Sequence, residues 1–157
     1  MSTVGRGLLG GIVGAALITG CARGPALSES ADRLEADADH VLADGARRLG
    51  GPGARPRTLT DRTASCDEGG RSRRTLRAEL PLRPGPSPVV LVDQATGVTL
   101  GLIGDRGYRL TRPPRGKGRS RTFTMIRDAP EVTFTVRLKG GRKPTLTLDG
   151  TTPCLPG

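Results

Sequence analysis

The chain has 157 residues, with 25 Lys and Arg against 15 Asp and Glu, a formal net charge of +10 and a sequence pI of about 11.1. That length limits it to one domain of ordinary size, and a single apolar stretch excludes a multi-pass membrane protein. Two Phe, one Tyr and no Trp leave too few rings for a large aromatic-lined cofactor pocket. A balance this basic ordinarily points to nucleic acid.

The beginning of the chain reads as an address. Met1 to Arg6 carries the amino terminus and one Arg. Gly7 to Ile18 follows without a charge and contains Leu8, Leu9, Ile12, Val13, Leu17 and Ile18. Such a run fits the apolar region of a secretory signal and is too short to span a bilayer as a helix. Ile18-Thr19-Gly20-Cys21 closes it. In this order of charge, apolar run and Cys, residues 1–21 resemble a bacterial lipoprotein signal with its lipobox. The resemblance implies cleavage between Gly20 and Cys21 by signal peptidase II and a diacylglycerol thioether on Cys21. Several acyl chains give stable anchoring where one would be marginal. The alternative is an ordinary secretory signal with an accidental Cys. Losing residues 1–20 removes only Arg6 among the charged side chains, so the basic character belongs to the rest of the chain.

Two cysteines, Cys66 and Cys154, are left once Cys21 is assigned to lipid. In an exported chain an even pair defaults to a disulfide. Its separation of 88 positions is long enough to matter to a small core, and two free buried thiols are the alternative. No CxxC exists and His40 is the single His, so no metal site is expected.

After a tether over 21–27, Ser28 or Ser30 can cap a helix. Ala31, Leu34, Ala38, Leu42, Ala46 and Leu49 recur at helical steps, with Arg47 and Arg48 in the last turn and Gly50-Gly51 as the stop. Asp32, Asp37 and Asp39 read as its solvated acidic side, and His40 as an exposed neighbour. Residues 50–65 read as a long irregular connection and Asp67 to Gly70 as a turn. Arg73 to Leu82 alternates as a strand, in which Pro81 suggests an edge position. Ser87-Pro88 opens a second helix, with Leu91, Ala95, Val98 and Leu102 on one stripe, although its β-branched content also permits a strand. Strands follow over Tyr108–Thr111, Thr122–Ile126, Val132–Leu138 and Leu146–Leu148, joined by turns at Ala129-Pro130 and Gly140-Gly141. Short turns between alternating strands force antiparallel neighbours with one covered face. The expectation for residues 28–157 is a small two-layer α+β domain, in the order α-β-α-β-β-β-β. It has an antiparallel sheet of about five strands with two helices on one face.

The basic residues crowd three places. Arg106, Arg109, Arg112, Arg115, Lys117, Arg119, Arg121 and Arg127 lie around the second and third expected strands. Arg71, Arg73, Arg74 and Arg77 form a second group, and Lys139, Arg142 and Lys143 a third. Beside an anionic leaflet each such cation gains about 1 kcal/mol. Arg109, Arg112, Arg115, Lys117, Arg119 and Arg121 are therefore the candidate contacts to anionic lipids or wall polymers. The competing reading is an Arg-rich composition with solvated charges. Nucleic acid is not expected as a partner, because stacking rings and a recognisable module are both missing.

No G-x-S-x-G elbow, Walker loop or H-E-x-x-H is present, and no pair of carboxylates is singled out by spacing. No catalytic residue and no cofactor is expected. The charged helix after a short tether, Gly107-Tyr108-Arg109-Leu110-Thr111 and the closing Thr152-Pro153-Cys154-Leu155 accompany the lipobox. Together they resemble small lipoproteins of unknown function from Streptomyces and related actinobacteria. That resemblance implies the outer face of the cell membrane as location, a membrane partner through the lipid, and no particular activity. The expected function is a membrane-anchored extracytoplasmic binding or accessory protein with an unidentified protein partner. The alternative is a cell-wall or envelope hydrolase.

Overall fold

The structure, a computed structural model, describes residues 26–66 and 69–157. The lipobox, the expected signal over 1–20, most of the tether, and Asp67 and Glu68 lie outside the described residues.

Helix α1 runs Leu27–Leu49, so Leu27 belongs to the helix rather than to the tether. Neither Ser28 nor Ser30 caps it. Ala26 occupies that position without a side-chain bond, and Ser30 is buried one turn inside the helix. Leu34, Ala38, Leu42 and Leu49 face inward as their spacing predicts, and Val41 and Gly45 widen the stripe. Gly45 is there because of proximity. A Cβ on it would stand 3.2 Å from Leu80 Cδ2, so the missing side chain lets the helix lie close on the sheet.

A single antiparallel sheet is built from β1 (Arg57–Ser65), β2 (Arg71–Pro81), β3 (Arg109–Leu110), β4 (Ser120–Asp128), β5 (Glu131–Lys139), β6 (Thr145–Thr151) and β7 (Leu155–Pro156). Its order is β1-β2-β6-β5-β4-β3, with β7 added beside β2. Helix α2 (Pro88–Gly104) carries the chain from β2 to the far edge, and three hairpin steps bring it back to place β6 against β2. The α+β class, the antiparallel sheet and the two helices on one face agree with the sequence. The strand count does not, because β1 and β7 add to the five expected.

β1 is the larger difference. It occupies residues read as an irregular connection, and all nine of its residues are exposed. A strand that buries neither face has no reason to alternate, so its sequence carries no period-two signal. Backbone pairing with β2, from Arg57↔Glu79 to Ser65↔Ser72, holds it instead. Charged Arg57, Asp61 and Arg62 and a register shift between Thr58 and Thr60 guard the free edge. β2 is consequently interior, contrary to the edge position suggested by Pro81. The proline is tolerated because it is the last residue of the strand, beyond the point where β1 begins to pair.

Ser87 caps α2, accepting from the Val90 amide at 3.4 Å, and Pro88 takes the first turn as expected. The inward stripe is displaced from the expected one. Val92, Ala95, Thr96, Thr99, Leu102 and Ile103 are buried, whereas Leu91 and Val98 are only partly covered. This helix is apolar nearly all round, so spacing could not choose its face. Thr96 and Thr99 satisfy their hydroxyls on the carbonyls of Val92 and Ala95, both at 2.7 Å.

The core lies between the helices and the inner sheet face. Leu76, Ala78 and Leu80 of β2, Phe123 and Met125 of β4, Val132, Phe134, Val136 and Leu138 of β5, and Leu146 and Leu148 of β6 line it. Each large side chain buried this way stabilises by about 1.5–3 kcal/mol. Gly150 interrupts the β6 series because Leu34 and Phe134 occupy its side-chain space: a Cβ would lie 2.4 Å from Leu34 Cδ1 and 2.8 Å from Phe134 Cε1.

Candidate functional site

The opposite sheet face is bare, and its composition follows from register. Thr75, Arg77 and Glu79 alternate with the buried residues of β2, and they pair across to Thr151, Asp149 and Thr147 of β6. Those in turn oppose Thr133, Thr135 and Arg137 of β5, and Thr135 and Arg137 oppose Thr124 and Thr122 of β4. The result is a field of hydroxyls with arginines set among them. At its centre Asp149 accepts from both Arg77 and Arg137. The Asp149 contact raises the Arg77 pKa.

Two shallow grooves open on this face. One of about 340 Å³ is lined by Thr60, Arg62, Thr75, Arg77, Thr135, Asp149 and Thr151, among others. The next, of about 490 Å³, is lined by Arg62, Arg71, Arg73, Thr75 and both cysteines, among others. Arg62 and Thr75 belong to both, so the grooves adjoin. Cys66 and Cys154 are joined as a disulfide with their Cα atoms 6.2 Å apart, which settles the pairing expected from the cysteine count. Arg73 Nη2 donates to Cys154 Sγ at 3.3 Å.

The second basic group of the sequence is thereby divided by strand alternation. Arg71, Arg73 and Arg77 stand on the bare face. Arg74 points to the helix side and binds Asp61 through two nitrogens, at 2.9 and 2.8 Å, and Glu35 of α1 at 3.0 Å. That bond to Asp61 raises the Arg74 pKa, and the guanidinium in turn holds the Asp61 carboxyl below the ordinary carboxylate value.

The six cations expected to meet an anionic surface are brought to one end of the sheet but are not equivalent. Arg109 is paired with Asp128 at 2.9 Å, and Arg121 turns to Asp93 of α2 at 2.7 Å. Arg112, Arg115, Lys117 and Arg119 occupy the β3–β4 loop, are exposed, and have no carboxylate partner among the described residues. Arg115 is fixed by its backbone, which exchanges two 2.8 Å bonds with Thr122. Beside them is a further groove of about 330 Å³ with Arg112 and Arg115 in its lining. Arg106 and Arg127 are structural. Arg106 binds Asp37 at 2.6 Å, and Arg127 donates to the Arg106 carbonyl at 2.6 Å.

Asp37 itself is misread by sequence. It belongs to no solvated face, being 0% exposed, with Arg33, Arg106 and the Tyr108 hydroxyl around it. Helical spacing does place position 37 beside Leu34 and Val41, and that was the available signal. His40 is exposed, as expected, with Asp44 at 3.8 Å. No cluster of three metal-ligating side chains occurs among the described residues. Arg62 is the groove cation the sequence did not single out, because the strand carrying it was not legible. No family model, curated protein or solved structure matches the chain.

Proposed function

We propose that this chain is a lipid-anchored extracytoplasmic binding protein that uses the β3–β4 loop to hold itself against an anionic membrane leaflet. Cys21 supplies the anchor and signal peptidase II the cleavage before it. The observation that carries the docking is the loop itself. Arg112, Arg115, Lys117 and Arg119 are exposed on one loop, and no carboxylate among the described residues neutralises them. Solvated cations within a Debye length of an anionic surface each contribute about 1 kcal/mol, so the four together favour the orientation that turns this loop to the leaflet.

The anchor is tested by feeding cells an alkyne fatty acid. The protein should be tagged and Cys21→Ser should not; equal tagging removes the anchor. Docking is tested by sedimenting the Cys21→Ser chain with phosphatidylglycerol vesicles. Binding should weaken with salt and with Arg112→Ala/Lys117→Ala/Arg119→Ala. Equal binding to phosphatidylcholine vesicles defeats it.

A further inference from the structure

We infer that the groove around the disulfide is a binding site for a soluble polyanion made of phosphate groups joined by hydroxylated, non-aromatic linkers. The inference rests on the reading of this chain as a binder of anionic partners, but neither on its lipid anchor nor on its membrane-docking loop.

Register brings the cations together. Arg71 and Arg73 stand on β2 at alternate positions. Arg62 on β1 is paired opposite Thr75, the next position of that alternation. Their side chains line the same groove of about 490 Å³. Other arginines of these strands are spent: Arg74 on Asp61 and Glu35, Arg57 on Glu79 and Arg77 on Asp149. The three in the groove have no carboxylate partner among the described residues, and Arg73 spends one donor on Cys154 Sγ. Each guanidinium presents a planar fork of donors suited to two oxygens. Forks arriving from two strands match a phosphate, whose oxygens point in several directions, better than a carboxylate, whose two oxygens share a plane.

The adjoining groove sets the rest of the ligand. There Asp149 is shared by Arg77 and Arg137, which leaves a net positive charge, and Thr60, Thr75, Thr135 and Thr151 make up much of the lining. Such a surface suits a hydroxylated linker, whose hydroxyls both donate and accept, carried beside a further phosphate that meets the remaining charge. No aromatic side chain lines either groove, so a base would find nothing to stack on. The disulfide, which closes on Arg73, fixes the end of β1 and the C-terminal segment that frame the site.

The test titrates the purified full-length protein with a synthetic glycerol-phosphodiester oligomer, with polyacrylate of matched charge, and with phosphatidylglycerol vesicles. The oligomer should bind more tightly than polyacrylate. Arg62→Ala/Arg71→Ala/Arg73→Ala should weaken it at least about tenfold, as expected for loss of several charge-assisted bonds. Arg112→Ala/Lys117→Ala/Arg119→Ala should change it less than about twofold, consistent with screening of distant charges. Replacing the three groove arginines by Lys should restore only part of the affinity and leave the thermal transition in place, which separates fork geometry from charge and from folding. Equal losses in the groove and loop variants, equal binding of polyacrylate, or full rescue by Lys overturns the site. So does a groove variant that loses vesicle binding but keeps the oligomer. A wild-type chain that binds the oligomer but ignores the vesicles overturns the membrane-docking function and leaves the groove standing.

Discussion

The Tyr108 hydroxyl donates a 3.0 Å hydrogen bond to Oδ2 of Asp37, joining the middle of α1 to the start of the β3 segment across 71 positions of chain. The other carboxylate oxygen takes the Arg106 guanidinium at 2.6 Å, and the Tyr108 ring lies 5.1 Å from that of Phe134. A carboxylate in this position is costly unless fully paired, and here it is. The two residues therefore clamp the first helix to the far end of the sheet.

Removing the carboxylate should be severe. Asp37→Ala leaves Arg106 and the phenol without their acceptor and is expected to lower unfolding free energy by about 3 kcal/mol or more, whereas Tyr108→Phe, which removes one bond, should cost about 1–2 kcal/mol. Urea denaturation of both variants checks the order.

Tyr108 should also impose an alkaline limit. Burial, followed by the neighbouring Asp37 charge, raises its pKa well above the ordinary tyrosine value. The folded state therefore favours the neutral phenol. Its stabilisation is complete below about pH 10, the unfolded value, and declines above that as the unfolded chain releases the proton more readily, by up to about 1.4 kcal/mol per pH unit. As this is the single Tyr of the chain, phenolate absorbance should stay flat until the protein unfolds. Tyr108→Phe should remove the alkaline slope.

At the acid end the Asp61–Arg74 pair should be visible. Asp61 is held below its ordinary value of 3.8 chiefly by the bond from Arg74. Its contribution is present above the unfolded value and is lost as pH falls through the lower folded one. Asp61→Asn should flatten the stability profile below about pH 4. An unchanged profile assigns acid sensitivity elsewhere.

Cys66 and Cys154 should be recovered as one linked peptide pair by non-reducing mass mapping. Replacing both with Ala should cost about 2–5 kcal/mol, the range for a long closed loop. A thermal midpoint that does not fall would show that pairing of β7 with β2 suffices to hold the C-terminal segment.

Two glycines should respond with opposite signs. Gly150→Ala places a methyl against Leu34 and Phe134 and is expected to destabilise by about 1–3 kcal/mol. Gly97→Ala, on the exposed side of α2 with open space around it, should stabilise by about 0.5–1 kcal/mol. Parallel thermal melts distinguish them.

Sequence alone determined whatever rests on local pattern. It placed α1 by its apolar stripe, α2 by Ser87 and Pro88, β5 by the alternation from Val132 to Leu138, and the Cys66–Cys154 link by counting. Each depends on periodicity, capping or parity within a short stretch or a short list. Tertiary structure decided what depends on a neighbour. β1 exists because β2 pairs with it, so its exposed residues leave no trace in the pattern. Asp37 is buried because Arg106 and Tyr108, distant in sequence, arrive to satisfy it. The same logic governs the net charge. A net +10 describes an excess of cations, whereas strand alternation and carboxylate pairing determine which arginines are spent within the fold and which are presented together to a partner.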